Sequence, residues 1–176
     1  MRTNTDLWAV HDSPMGPLTL RGMLGRLSAL DFPGHGAHRD ESDHAPEAFA
    51  DALAQLEAYF AGHRRRFELA LDLGGTPFQR RVWAELQAIP YGETISYTEL
   101  ARAIGRPDRV RAAAAAVGRT PVPIVVPCHR VVPTDGALTG YRGGLARKQA
   151  LLELERRVAA GGVPEPAWAF RQTALL

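Results

Sequence analysis

The sequence is poor in cysteine and lysine and has no long apolar run. Its 176 residues include one cysteine, Cys128, so no intrachain disulfide forms and cysteine-based zinc frameworks are excluded. A single cysteine is typical of proteins in a reducing compartment. No run approaches the roughly 18 apolar residues of a membrane span, and residues 1–6 lack the apolar core of a signal peptide. We therefore expect a cytoplasmic protein without a membrane anchor.

Charge is distributed unevenly along the chain. Residues 1–75 hold 7 arginines and 11 acidic residues, a net charge of −4, whereas residues 76–176 have a net charge of +6. A basic half favours binding to a polyanion, because each neutralised phosphate releases counterions. A solvated arginine-rich surface is the alternative that charge alone leaves open.

Turn residues divide the first 35 residues into short apolar runs, which predict a small antiparallel sheet. Residues 40–44 are polar and predict a loop. Apolar residues at steps of four, three and four then predict an amphipathic helix from about Pro46 to Gly62. We expect a further strand from Phe67 to Leu73, followed by an interdomain linker at Gly74–Gly75.

Helix-start signals are prominent in the second half. Thr76–Gln79 is a capping box with proline at the first helical position, and Pro90 ends the helix that it starts. Ser96–Glu99 is a second capping box. The turn Gly105–Pro107 leads from that short helix to another, predicted from about Asp108 to Val117. Two short helices joined by a tight glycine turn resemble a helix-turn-helix.

The second helix of this unit contains five consecutive alanines, Ala112–Ala116, flanked by Arg109, Arg111 and Arg119. Alanine leaves little side-chain height, so a DNA backbone could approach closely while the arginines bind phosphates. The absence of long polar side chains, which read base edges in the major groove, favours contact with backbone or minor groove. The alternative is that the alanines are good helix formers packed against a neighbouring element.

Cys128 is the candidate nucleophile, and His129 follows it directly. Cysteine attacks as a thiolate and so needs a neighbour that promotes its ionisation. Adjacent residues of an extended chain point to opposite faces, so His129 acts on Cys128 only through a turn or a bridging water. Four prolines make the apolar segment around Cys128 stiff: Pro121, Pro123, Pro127 and Pro133.

Glu155 is expected on the buried face of the helix that begins after Gly143–Gly144, because two leucines precede it by four and three positions. A buried carboxylate is costly without a partner. His129 is one candidate, since a carboxylate would hold its tautomer in a nucleophile, base and orienter arrangement. Arg130 and Arg156 are the alternative partners.

Four motifs carry a resemblance to a known family: Gly74–Gln79, Pro90–Tyr97, Pro127–Val131 and Gly140–Leu145. With them, the chain from about Leu7 to Arg156 resembles the methylated-DNA–protein-cysteine methyltransferases, the O6-alkylguanine-DNA alkyltransferases. The resemblance implies an α/β fold. It consists of a ribonuclease-H-like domain of a small sheet plus a helix (1–73), a helical, winged helix-turn-helix-like DNA-binding and alkyltransferase domain (76–160), and a tail (161–176).

The resemblance also implies roles for matching residues. Cys128 would accept the alkyl group irreversibly, His129 would be its base through a water, and Glu155 would orient His129. Tyr97 would help to rotate the nucleotide out of the duplex and would hydrogen-bond the base. Arg111 would fill the gap left by the flipped guanine.

Further positions follow from the same resemblance, and the implied partner is double-stranded DNA that contains alkylated guanine. DNA contacts are expected at Tyr97, Thr98, Arg106, Arg111, Ala112 and Thr134. The base pocket is expected at Val131, Lys148 and the lid segment 139–144, which contains Tyr141, Arg142 and Gly143. We expect a monomer without a metal or other cofactor.

Two positions depart from the family pattern, since Thr120 replaces a common asparagine and Arg142 replaces a common small residue. Two other functions remain open at this point. A non-catalytic damage sensor would explain the helices and charges, but such sensors have tryptophan in place of Cys128. A cysteine hydrolase or thiol redox protein would use Cys128 and His129 but would not explain the basic helix-turn-helix.

Overall fold

A three-stranded antiparallel sheet forms the start of the fold. The computed structural model describes residues 6–23, 25–36 and 39–164. Strands β1 (Leu7–Ser13), β2 (Gly16–Met23) and β3 (Arg26–Asp31) lie in the order β1-β2-β3. The antiparallel sheet predicted from the sequence is confirmed. Of the predicted tail, residues 165–176 lie outside the described residues.

The helix that covers this sheet begins later than the sequence indicates. Residues Pro46–Phe49 form a 3₁₀ turn, and the α-helix α1 extends over Ala50–Phe60. Gly62 follows with φ +75°, a conformation that glycine adopts without strain and that ends the helix. The predicted loop at 40–44 contains a single 3₁₀ turn, Glu41–Asp43.

The predicted strand from Phe67 to Leu73 is wrong. The segment has the alternating exposure of a strand, but it joins the sheet through one bridge, between Leu27 and Leu71. Two hydrogen bonds hold it there: Leu27 N–H donates to Ala70 O over 2.9 Å, and Asp72 N–H donates to Leu27 O over 3.0 Å. Leu71 contacts the hydrophobic cores of both halves, so the segment passes along their boundary and does not extend the sheet.

The second half is mainly helical. Its elements are α2 (Pro77–Ala88), β4 (Ile95–Ser96), α3 (Tyr97–Ala103), α4 (Val110–Gly118), β5 (Val131–Val132) and α5 (Leu145–Ala159). Both predicted capping boxes are confirmed, at Thr76–Gln79 and Ser96–Glu99. A 3₁₀ turn, Pro107–Arg109, precedes α4. In the part of the chain that is described, no helix is long and apolar enough to cross a membrane.

The alanine run of α4 serves packing on one face. Ala113 and Ala116 are buried in the core of the second half, whereas Arg111 and Ala115 are exposed. The indole N–H of Trp83 on α2 donates to the backbone oxygen of Ala116 over 2.9 Å. The small side chains therefore let α2 approach α4 closely, and the opposite face of α4 remains available to a partner.

The core beneath the sheet contains residues from both halves. Its second-half members include Val122, Ile124, Val125, Leu151, Leu154 and Val158. The amide of Leu30 in β3 also donates to Pro121 O over 2.9 Å. The N-terminal sheet thus packs on α5 and on the segment that leads to Cys128, so both halves build this first core, while Cys128 itself lies in the second core.

Candidate active site

Cys128 opens a buried 3₁₀ turn, Cys128–Arg130, that follows the proline-rich segment. Ile124, just upstream, has φ +73°, which a β-branched residue rarely adopts. The amide of Val126 donates to Val122 O over 2.9 Å and closes this tight turn. The proline-rich segment therefore makes a tight turn just before Cys128, and burial of Cys128, His129 and Arg130 is nearly complete.

The carboxylate of Glu155 lies at the centre of a buried hydrogen-bond network. Its Oε1 accepts from Tyr59 Oη at 2.8 Å and Arg130 Nη2 at 2.9 Å, and lies 2.7 Å from His129 Nε2. Its Oε2 accepts from Arg130 Nε at 2.8 Å and from the Gly92 amide at 3.1 Å. Of the three partners considered from the sequence, His129 and Arg130 contact the carboxylate of Glu155, whereas no hydrogen bond or ion pair in the described residues joins it to Arg156.

These contacts keep Glu155 ionised although its side chain is almost fully buried. Burial alone would raise the pKa of the carboxyl group, but His129 and Arg130 outweigh it and lower the pKa far below its usual value. The charge of Arg130 balances that of Glu155, and a backbone oxygen, that of Ile89, accepts a further Arg130 hydrogen bond over 2.6 Å.

The network determines which ring nitrogen of His129 is basic. A carboxylate only accepts hydrogen bonds, so the Nε2 that faces Glu155 Oε1 carries the hydrogen in neutral His129. Nδ1 then has the lone pair. It is buried and has no hydrogen-bond partner within the described residues, which leaves it available to accept a proton from a water or a nearby donor.

Cys128 itself is a thiol at rest. Burial raises the pKa of Cys128 to about 11, although Thr120, Lys148 and Tyr141 each act to lower it. Desolvation of the sulfur therefore outweighs the neighbours that favour the thiolate. Ionisation must accompany the reaction, which requires a proton acceptor such as His129.

Lys148, the only lysine of the chain, is completely buried beside the cysteine segment. Its Nζ donates to Val131 O over 2.7 Å and to Thr139 O over 3.3 Å. Burial lowers the pKa of Lys148, and the proximity of Cys128 raises it. Lys148 thus joins α5 to β5 and to the start of the lid segment.

Tyr97 precedes Cys128 in the sequence and Tyr141 follows it, and both lie near the Cys128 side chain. Burial and then Cys128 raise the pKa of Tyr97, which is half-buried at the start of α3. The hydroxyl of Tyr141 lies near enough to lower the pKa of Cys128. It nevertheless has no hydrogen bond of normal geometry in the described part of the chain. Gly143 and Val131 are buried, whereas Arg142 is exposed.

The expected DNA-contacting residues lie on and around the two helices α3 and α4. Thr98 and Thr134 line one open groove of about 510 Å³ together with Ser96 and Arg102. Arg111 is exposed on α4, and Ala112 is half-buried. Arg106 pairs with Asp108, with Nε–Oδ1 and Nη2–Oδ2 distances of 3.1 Å. Its predicted DNA contact therefore requires a shared or rearranged ion pair.

Sequence reasoning missed several residues around the site. Tyr59 lies on α1 in the first half, and no local pattern indicates its contact with Glu155 96 residues later. Thr120, noted only as a departure from the family pattern, is buried and donates to Val117 O over 2.8 Å. Among the described residues, no cluster of three or more histidine, cysteine or acidic side chains is arranged to hold a metal.

The Glu155 network predicts a large effect of charge removal on stability. Glu155→Gln should lower the free energy of unfolding at pH 7 by about 3–5 kcal/mol, since Arg130 would keep its charge in a buried site. Tyr59→Phe, which removes one hydrogen bond, should cost about 1–2 kcal/mol. Urea denaturation measures both, with Glu153→Gln on the partly exposed side of α5 as the matched control.

The stabilisation that Glu155 provides should decrease as the pH falls. Because the folded pKa of Glu155 is lowered, its contribution is fully present above the unfolded value of about 4.3 and is lost as pH falls through the folded value. The difference in stability between wild type and Glu155→Gln should therefore shrink in acid. Equal stabilities of the Glu155→Gln and Glu153→Gln variants at pH 7 would contradict the network.

Comparison with known proteins identifies relatives over nearly the whole described chain. The model of the 6-O-methylguanine DNA methyltransferase ribonuclease-like domain matches residues 7–73, and that of its DNA binding domain matches residues 77–157. A methylated-DNA–protein-cysteine methyltransferase of Mycolicibacterium paratuberculosis is 53% identical over 149 residues, covering 83% of this chain and 90% of the relative. A constitutive one of Bacillus subtilis is 51% identical over 156 residues, covering 85% and 94%.

Solved structures agree with these relatives. The Mycobacterium tuberculosis OGT in complex with DNA has 50% sequence identity and a TM-score of 0.81, and the match covers 86% of this chain and 93% of that chain. The Mycobacterium tuberculosis O6-methylguanine methyltransferase has 48% identity and a TM-score of 0.80 over the same shares. The chain therefore belongs to the 6-O-methylguanine-DNA methyltransferase family.

Proposed function

We propose that this chain repairs DNA by moving the alkyl group of O6-alkylguanine onto the sulfur of Cys128 in a single irreversible turnover. Membership of the family makes it a DNA-repair alkyl-transfer protein. The observation that supports Cys128 as the acceptor is its position directly before His129, whose Nδ1 is left with a free lone pair by the Glu155 network.

The chemistry requires one bond to form and one to break. The sulfur of Cys128 attacks the alkyl carbon, the carbon–oxygen bond to guanine breaks, and its electron pair stays on the base. His129 Nδ1 receives the thiol proton through a water, and the hydroxyl of Tyr97 donates a hydrogen bond to the departing base. The base takes up the Tyr97 proton along that hydrogen bond and leaves as neutral guanine. His129 then releases the thiol proton to solvent and Tyr97 recovers a proton from it, so the net reaction exchanges the thiol hydrogen for the alkyl group.

The resting thiol suits this mechanism. A pKa of about 11 keeps Cys128 protonated at neutral pH, which protects it from oxidation, since the thiolate is the reactive form. Deprotonation by His129 then occurs only with a substrate in place. A thioether is stable to hydrolysis, so we expect each molecule to react once.

The target base must leave the duplex to reach a cysteine that is buried. Extrusion costs a few kcal/mol and is least costly for a poorly paired, damaged base. Arg111, exposed on α4 next to a low alanine surface, is placed to enter the space that the guanine leaves. Contacts of Thr98, Thr134 and Ala112 with the DNA backbone would orient the duplex on the same face.

DNA is the partner of the family, and we propose duplexes with O6-alkylguanine as its specific form, with O4-alkylthymine as a further candidate substrate. We also propose that the protein acts as a monomer in the cytoplasm.

The alternative functions have less support. The relatives of this chain are named methyltransferases, which argues against a non-catalytic damage sensor, and Cys128 is present. A cysteine hydrolase or thiol redox protein does not account for the match to the DNA binding domain over residues 77–157.

Incubation with duplex DNA containing O6-methylguanine should add the mass of one methyl group in place of one hydrogen to the intact protein. Peptide mass spectrometry should locate the group on Cys128, and Cys128→Ser should stay unmodified while still binding the duplex. An unmodified wild-type protein that binds the DNA would refute alkyl transfer and would support the sensor.

Arg111→Ala should slow repair of duplex DNA by about tenfold or more, if the side chain offsets the few kcal/mol of base extrusion. Its reaction with free O6-benzylguanine, which needs no extrusion, should be nearly unchanged. Single-turnover rates on the two substrates measure the contrast. Arg119→Ala removes the same charge just after α4 and is the matched control. Equal losses of rate in the two variants would mean that Arg111 contributes only its positive charge.

A further inference from the structure

The lid segment 139–144 lies on the N-terminal sheet. The rings of Tyr141 and Phe32 meet edge to face with their centroids 5.8 Å apart. Gly143 packs so closely on the ring of Phe32 that a Cβ at this position would lie 2.7 Å from Phe32 Cε2. Phe32 itself is almost fully buried. The position of the lid is therefore determined by a residue of the first half.

A buried carboxylate adjoins this contact. Asp31, at the end of β3, has a side chain that is 1% exposed and is shared by two arginines. Arg21 Nε lies 3.0 Å from its Oδ2, and Arg142 Nη2 of the lid lies 3.4 Å from its Oδ1. Because a desolvated carboxylate gains most from each cation that reaches it, Asp31 attracts Arg142 towards the sheet.

Arg147 at the start of α5 strengthens the same junction. Its Nε donates to Met15 O over 2.8 Å, and its Nη1 donates to Gly143 O over 2.9 Å. Its guanidinium lies 5.5 Å from the centre of the Phe32 ring. The lid thus contacts the first half directly through the ion pair of Arg142 and the aromatic contact of Tyr141. Gly143 O accepts from Arg147, which in turn donates to Met15 O of the first half.

Tyr141 connects this junction to the reactive sulfur. Its ring packs on the core that contains Cys128 and also on the core that contains Phe32. Cys128 is only 5% exposed, so an alkyl group attached to guanine reaches the sulfur only if Tyr141 leaves enough space. The space available depends on how firmly the lid is held to the sheet.

We infer that Asp31 and Phe32 are specificity-determining residues that the N-terminal domain contributes to the alkyl-transfer site. Through Arg142, Gly143 and Tyr141 they hold the lid over Cys128 and limit the size of the alkyl group that the pocket accepts. This inference rests on the proposed function and gives the N-terminal domain a part in it. The Asp31–Arg142 contact is partly exposed, so the restraint is weak enough to be released during binding.

Rates of alkyl transfer from two substrates test the inference. Single-turnover rates should be measured on one duplex carrying either O6-methylguanine or O6-benzylguanine, for wild type, Arg142→Ala, Asp31→Asn and the double variant. Each single variant should raise the benzyl-to-methyl rate ratio about two- to fivefold, as expected for one partly exposed ion pair. The double variant should show no further increase, because both changes break the same contact.

A second readout does not depend on alkyl transfer. Cys128 is the only thiol of the chain, so the rate of its reaction with an aromatic disulfide reagent reports how often the lid opens. Arg142→Ala should raise that rate by a similar factor. Gly143→Ala, which pushes a methyl group against Phe32, should raise it as well.

Controls separate opening of the lid from general loosening. Arg157→Ala removes an arginine from α5 that pairs with Glu153 over 3.1 Å, and it should change neither the rate ratio nor the thiol rate. Arg142 is exposed, so Arg142→Ala should fold even if Asp31→Asn does not, and thermal denaturation checks both.

The outcomes distinguish the inference from the function on which it rests. A wild-type protein that fails to accept methyl would refute the proposed function, and the thiol rates would still test the lid. Methyl transfer by wild type with an unchanged rate ratio in Arg142→Ala would overturn the inference, as would fully additive effects of Asp31→Asn and Arg142→Ala.

Discussion

The buried carboxylate of Glu155 is the interaction on which the site depends. It accepts hydrogen bonds from Tyr59 of the first half and from Arg130 of the cysteine turn, and it faces His129. An unpaired charge at this depth would cost several kcal/mol, so each partner must be in place when the protein is folded. The requirement for a satisfied carboxylate therefore fixes the position of α5 against α1 and against the turn that contains Cys128.

Two opposing requirements meet at this network: Cys128 must be unreactive at rest, and it must be able to lose its proton. Burial keeps Cys128 as a thiol, with a pKa of about 11, which makes the resting protein unreactive. The contact with Glu155 leaves the lone pair of neutral His129 on Nδ1, which we propose as the acceptor for the thiol proton. A protein that reacts once benefits from this arrangement, because a sulfur lost to oxidation cannot be used for repair. The first half of the chain contributes to both sides of the site, through Tyr59 of α1 at the base and through Phe32 after β3 at the lid.

Local signals allowed much of this to be predicted. Thr76–Gln79 and Ser96–Glu99 begin helices because the residues that satisfy the free amides are adjacent in sequence. The buried face of Glu155 followed from helical spacing. The contacts of Tyr59 and Asp31 were not predictable, because they join positions 96 and 111 residues apart. The alternation of apolar and polar residues in 67–73 indicated extended backbone but not the strand with which it would pair. The pKa of Cys128 depends on burial, which no sequence pattern reports.

The central claim is that Glu155 holds neutral His129 with its hydrogen on Nε2 and its lone pair on Nδ1. ¹⁵N NMR of the labelled histidine ring measures this directly, because protonated and unprotonated ring nitrogens differ widely in chemical shift. In the neutral ring of the free wild-type protein, the hydrogen should lie on Nε2 and the lone pair on Nδ1, and Glu155→Gln should lose this preference. A neutral wild-type ring with its hydrogen on Nδ1 would contradict the claim.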